Sequence, residues 1–341
     1  MTAPMPEGDS ARRPPWIAAQ TADLLGQKGH AWLLFGPSGL GQYALALELV
    51  RAWLCERLSP QGACGQCSSC HAIEVRTHAD LCVLMPETSM LALGWPLSEK
   101  AQGEIDDKKR KPSKEIRVDA MRDAVEFSQR TSARGRGKAV LVFPAEAMNT
   151  VTANALLKTL DEPPGDVKFV LATESAHHLL PTIRSRCMGH SMRWPDAVAS
   201  QQWLQAQGLT TAAAQQALRA SGGRPEDALD HVRSGRDPGA WSAFPKAMAR
   251  GDLGFVRDWG PAELLQTLHK LCHDLLAVAV GAAPRFFAVE DLAKGPSVEV
   301  LSQWSQWLQS QQRTIDHPFN PGLLLETMVM RAQQVLAAPV R

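Results

Sequence analysis

The chain has no run of about 18 uninterrupted apolar residues, and its first fifteen residues are polar and proline-rich without an apolar signal core. A membrane-spanning helix is therefore not expected, and a cytoplasmic protein is. Nor does either sign of charge dominate. Lys+Arg 36 against Asp+Glu 35 leaves a net charge of +1, so no global field draws the molecule onto nucleic acid or an acidic membrane, and any DNA contact has to be local. A third shortage is chemical. Residues Gly36-Pro37-Ser38-Gly39-Leu40-Gly41-Gln42-Tyr43 keep the glycines of a phosphate loop but lack its lysine and the hydroxyl that follows it. In a working loop the lysine neutralises the β/γ oxygens and the Ser or Thr binds magnesium. Gln42 and Tyr43 do neither, so productive binding of ATP and magnesium is not expected; weak nucleotide binding through the backbone amides stays open.

What is present is a chain of 341 residues, 45% hydrophobic, enough for about two or three domains with ordinary cores. A helical lead-in near Trp16–Leu25 precedes the short apolar run Ala31–Phe35, the glycine loop and a helical pattern through Leu45, Leu49, Ala52 and Trp53. Further strands are expected at Asp80–Met85, Ala139–Phe143 and Val167–Ala172. Helices are expected at Val118–Gln129 and after a cap at Asn149 or Thr150, the second of these stopped by Pro163-Pro164. This alternation predicts a parallel three-layer α/β domain to about residue 194. Residues 87–115 lose periodicity and read as an exposed, flexible insertion ending in Lys108-Lys109-Arg110-Lys111. Beyond Pro195 the pattern is helical, with a Gly222-Gly223-Arg224-Pro225 break.

Four of the seven cysteines, Cys55, Cys64, Cys67 and Cys70, are spaced x8, x2 and x2. In a reducing compartment that spacing favours a closed, structural tetrahedral zinc site over disulfides. The haem-attachment reading of Cys67-Ser68-Ser69-Cys70-His71 requires export, and the iron–sulfur reading lacks a fourth downstream cysteine followed by proline. His71 reads as a surface residue or a neighbour of the ligands, with exchange for one cysteine left open. Cys82, Cys187 and Cys272 read as packed thiols.

Three landmarks fall in one order: the glycine loop, Asn154-Ala155-Leu156-Leu157-Lys158-Thr159-Leu160-Asp161-Glu162-Pro163-Pro164, and Ser185-Arg186-Cys187. That order resembles the bacterial clamp-loader subunits of the AAA+ class, and the degenerate loop makes the delta-prime subunits of DNA polymerase III the nearest match. The resemblance covers residues 15–235 well. It implies an AAA+ core at 1–194 with a zinc module at 55–70, a small helical lid at 195–235, and a helical collar at 236–341 that joins subunits.

It also implies a stator without ATPase of its own, an accessory part of a polymerase holoenzyme in a hetero-pentameric ring with gamma/tau-type and delta-type subunits. Such a ring places a sliding clamp on primed DNA. Arg186 is then the arginine finger lent to a neighbour's ATP, with Arg184 a competitor for the role. Gly36, Gly39 and Gly41 are the remnant of a nucleotide site. Active relatives carry an acidic pair where this chain has Pro144-Ala145; Glu146 is out of register and reads as a solvated helix-start carboxylate. Arg224, loosely matching a nucleotide-sensing arginine, reads as a helix-start residue. Arg130, Arg134, Arg136 and Lys138 stay open as phosphate contacts, and the tryptophans read as core or interface. The alternatives are an active AAA+ ATPase subunit and a zinc-dependent DNA-binding module.

Overall fold

A computed structural model describes residues 14–233, 238–292, 295–315, 317 and 319–337. The chain divides into two compact units, Met1–Ala199 and Ser200–Arg341.

The first unit is built on five parallel strands, β1 (Ala31–Phe35), β2 (Leu81–Leu84), β3 (Lys138–Val142), β4 (Val167–Thr173) and β5 (Met188–Ser191), in the order β2-β3-β4-β1-β5. Its helices are α1 (Pro15–Leu25), α2 (Gln42–Leu54), α3 (Ser68–Glu74), α4 (Glu87–Ala92), α5 (Glu99–Asp106), α6 (Val118–Gln129), α7 (Thr150–Asp161) and α8 (Pro181–Arg184). The central strands read as continuous apolar runs because helices cover both faces, the condition under which a parallel sheet is stable. On one face Ala31, Leu33, Val140, Val142, Phe169 and Leu171 pack with residues of α6 and α7 in a single buried cluster. Asn149 caps α7, its side chain accepting from the Thr152 N–H at 3.0 Å, a contact worth about 1 kcal/mol.

Residues 87–115 carry more structure than their lost periodicity implies. They hold α4 and α5, and Glu87 accepts from the Arg110 guanidinium at 2.7 Å and from the Ser113 N–H at 2.8 Å. Arg110 also reaches Glu104 at 2.7 Å, so one cation of the expected linker charge run closes this segment on itself. Periodicity misses such a clasp because charged side chains at irregular spacing hold it together.

The second unit is helical. Helix α9 (Ala197–Ala206) leads into it, and α10 (Thr211–Ala220) and α11 (Pro225–Arg233) share a small core of Leu204, Ala214, Ala217, Ala228 and Leu229. Helices α12 (Pro238–Arg250), α13 (Pro261–Ala279), α14 (Val298–Gln312) and α15 (Pro321–Leu336) enclose a larger one. Leu264, Leu265, Leu268, Leu271 and Leu275 of α13 are all buried there, with Trp304 and Leu308 of α14. Among the described residues no helix is long and apolar enough to cross a membrane.

Candidate functional site

The glycine loop leaves the carboxyl end of β1 and enters α2, the place a phosphate loop occupies. Its glycines serve the backbone. Gly39 and Gly41 have φ of 75° and 92°, and a Cβ at Gly36 would lie 2.9 Å from that of Met192. The two departures from a working loop are built into the fold. Gln42 is buried, and its side-chain amide donates to the carbonyls of Gly36 at 2.8 Å and Pro37 at 2.7 Å. The indole N–H of Trp16 donates to the Leu40 carbonyl at 3.1 Å. Where a lysine would extend toward phosphate, the glutamine ties the loop to its own backbone. Tyr43 is consumed likewise: its hydroxyl accepts from the Trp95 indole at 2.6 Å, its ring lies 5.3 Å from that of Phe143, and burial pushes its phenol up.

After β3, Pro144-Ala145 stands in place of an acidic pair. Glu146 requires a correction, because it is not a solvated helix-start carboxylate. It lies in a single 3-10 turn, Ala145–Ala147; one oxygen accepts from the Glu174 N–H at 2.9 Å, and the other is buried without a hydrogen-bond partner. The side chain thereby meets the backbone that follows β4, the strand next to β3.

Arg186 sits between α8 and β5. Its Nε lies 2.7 Å from Asp161 Oδ1, at the last residue of α7, and one terminal nitrogen donates to the Thr182 carbonyl at 3.0 Å. The side chain remains about one-third exposed, at 32%. The fork is thus ion-paired at Nε, without an aligned hydrogen bond there, and hydrogen-bonded at one terminal nitrogen. Arg184 is exposed. Arg224 stands at the start of α11, its Nε 2.7 Å from Asp227, a local helix-start pair.

Cys55, Cys64, Cys67 and Cys70 converge from the end of α2 and the start of α3, their sulfurs all within 4.8 Å of one another. Cys55 lies 3.9 Å from Cys67 and 3.8 Å from Cys70. A tetrahedron with metal–sulfur bonds near 2.3 Å has edges of about 3.8 Å, so the donors fit a closed four-thiolate site. Backbone N–H groups surround the sulfurs: those of Arg57 and Cys64 donate to Cys55 at 3.3 Å, and that of Cys70 to Cys67 at 3.4 Å. The Gln66 N–H leads the contacts that hold the Cys64 thiol down to about 6, whereas burial pushes Cys70 up to about 12. Thiolates gathered this closely repel unless a cation lies among them. His71 is exposed and outside the group of four. Burial pushes the thiols of Cys82, Cys187 and Cys272 up to about 12, as befits packed side chains.

A polar network joins this module to the basic loop before β3, a link that spacing does not announce. Arg134 donates to Ser68 at 2.6 Å and Glu56 at 3.3 Å, and Ser68 donates to Glu56 at 2.7 Å. Asp80, buried, accepts from the backbone of Ala133 at 2.7 Å and Arg134 at 2.9 Å and from the Ser132 hydroxyl at 3.1 Å. Burial pushes the Asp80 carboxyl up, but these donors outweigh it and hold it below the usual range.

A family profile described as "DNA polymerase III, delta subunit" matches residues 20–195. The "DNA polymerase III subunit delta'" of Pseudomonas aeruginosa is 40% identical over 93% of this chain and 96% of its own length. This chain belongs to the DNA polymerase III delta-prime family. The Escherichia coli delta-prime subunit is 33% identical over 63% of this chain and 59% of its own length. The tau subunit of Salmonella typhimurium is 34% identical over 48% of this chain and 22% of its own. A solved DNA polymerase III gamma-subunit-related protein from Thermotoga maritima aligns over 93% of this chain and 99% of its own, at 17% identity and TM-score 0.49. Within this delta-prime chain the degenerate loop, the Ser185-Arg186-Cys187 turn and the cysteine cluster all belong to the first unit.

Proposed function

We propose that this delta-prime family member is the non-catalytic stator of a clamp loader, lending Arg186 to ATP held by a gamma/tau-type neighbour. The ring is a cytoplasmic hetero-pentamer with a delta-type subunit, and it loads a sliding clamp onto primed DNA. The single observation that carries the non-catalytic part is the position of Gln42: a side chain buried on the carbonyls of its own loop leaves no cation for a triphosphate. With Tyr43 engaged by Trp95 and no acidic pair after β3, hydrolysis in cis has neither charge neutralisation nor a magnesium ligand.

Arg186 supports the complementary half. A guanidinium ion-paired with Asp161 and hydrogen-bonded to the Thr182 carbonyl through one terminal nitrogen keeps its other terminal nitrogen for an outside acceptor. The AAA+ collar role falls to residues 236–341 and the lid role to 195–235. Cys55, Cys64, Cys67 and Cys70 hold structural zinc, which fixes the knuckle and supplies no catalysis.

The test is reconstitution with gamma/tau-type and delta-type subunits, recording assembly by gel filtration and ATP turnover with clamp and primed DNA. Arg186→Ala is expected to leave assembly intact and to lower turnover at the site it completes by about 10³-fold. Unchanged turnover in the fully assembled variant refutes the trans role, and robust hydrolysis by the isolated native chain refutes the stator reading.

A further inference from the structure

A concavity lies at the end of the sheet opposite the glycine loop, where β1 and β4 begin. It has a volume of 510 Å³, within the range of about 300–1,000 Å³ typical of small-ligand sites. Its floor is aromatic: Trp32 of β1 and Trp53 of α2 meet with ring centroids 5.1 Å apart at 37°. Trp32 is buried, and its indole N–H has no hydrogen-bond partner. Such a stranded donor is uncommon in a folded interior. Trp53 is half-exposed.

Around this floor stand three cations from three different segments. Lys28 lies on the turn before β1, Arg136 on the basic loop before β3, and Lys168 on β4 with its Nζ 5.9 Å from the centre of the Trp53 ring. None of the three makes an ion pair among the described residues. Asp166 is the one carboxylate lining the cavity, which leaves the surroundings positive in a chain that is close to neutral as a whole. The neighbouring basic residues differ. Arg134 is bound to Glu56 and Ser68, Arg130 to Glu126, and Lys138 to the Phe127 carbonyl. The sequence pattern groups all four, whereas the fold commits three internally and leaves Arg136 at the cavity.

We propose that this concavity binds a nucleotide, free or at the phosphorylated end of a single strand, with the base against Trp53 and the phosphate among Lys28, Arg136 and Lys168. An aromatic platform edged by unpaired cations is the chemistry of sequence-tolerant recognition of unpaired nucleotides. The guanidinium fork and two ammonium groups match a phosphate rather than a lone carboxylate. The site is independent of the degenerate loop, which leaves the opposite, carboxyl end of β1, and independent of Arg186.

Calorimetric titration of the full chain with adenosine monophosphate, inorganic phosphate and a 5′-phosphorylated oligodeoxyadenylate tests it. Saturable binding of the nucleotide, the oligomer or both is expected; preference for one identifies the source of the ligand. Inorganic phosphate alone should bind about tenfold more weakly, because the stacking contribution is lost. Arg136→Gln and Lys168→Met, on exposed or half-exposed side chains, should each weaken binding about tenfold with the thermal unfolding midpoint unchanged. Absence of saturable binding overturns the proposal. So does binding that survives both substitutions, which locates the nucleotide elsewhere, for instance at the glycine loop.

Discussion

Single side chains decide most of what is distinctive here, and Asp274 shows how much one buried carboxylate can organise. It is fully buried in α13 and accepts from the backbone N–H groups of Arg285 at 2.9 Å and of Phe286 and Phe287 at 2.7 Å, and from His273 at 2.9 Å. Those bonds hold the segment whose Arg285 side chain reaches the Gly222 carbonyl at 2.7 Å. Asp274→Asn keeps the shape but turns one acceptor into a donor facing N–H groups, and is expected to cost about 2–3 kcal/mol. Urea unfolding followed by circular dichroism measures it; a loss below about 0.5 kcal/mol, the usual size of a surface substitution, contradicts this assignment. Legibility at this scale was uneven. The residue types at 42, 43 and 186 announced what chemistry was missing or available. Their partners, Gly36 and Pro37 for Gln42, Trp95 for Tyr43 and Asp161 for Arg186, come together only in the folded chain. Glu146 was misread because nothing in its neighbours reveals that it meets the backbone of Glu174.

Among the elements, those with a strong period or a continuous apolar run matched their expected ranges closely. Strand β1 spans Ala31–Phe35 and α6 spans Val118–Gln129, as their patterns indicate. Strand β5 was not anticipated: Met188-Gly189-His190-Ser191 has no apolar run, since an edge strand paired only with β1 buries little. The cysteine module was legible as a ligand set but not as a support for its surroundings. Helix α3 has 7 residues, too few to persist alone, and its first turn is capped by Cys67, which accepts from the Cys70 N–H. With the proposed zinc bound by the four thiolates, metal removal takes away both the crosslink and the setting of this cap. Chelation, or Cys67→Ser, is expected to release about one zinc per chain. Hydrogen exchange should then quicken across residues 55–74 and, through Arg134, Glu56 and Ser68, across residues 132–137, while β1, β3 and β4 stay protected. Metal analysis and exchange mass spectrometry read the two effects. Unchanged protection at 132–137 after complete metal loss shows that Asp80 alone holds that loop.

For the whole molecule the decisive quantity is charge. Cores in both units account for the stability of the fold, but the near balance of 36 cations and 35 anions limits what the surface can do with nucleic acid. Several candidate cations are already committed: Arg110 to Glu87 and Glu104, Arg134 to Glu56, Arg193 to Asp23. A zinc-dependent DNA-binding module working alone needs a broad basic face, and neutralising six to ten phosphates gives a slope of log affinity against log salt of about −5 to −9. This chain offers Lys28, Arg136 and Lys168 at one concavity, which by themselves correspond to a slope of about −2 to −3 on single-stranded or duplex DNA. Fluorescence anisotropy of the isolated chain with labelled DNA over a range of potassium chloride concentrations gives that slope directly. A steep dependence with tight binding favours the autonomous DNA-binding reading and displaces the stator. A shallow one fits the proposed stator, in which DNA engagement falls to the assembled loader rather than to this near-neutral chain.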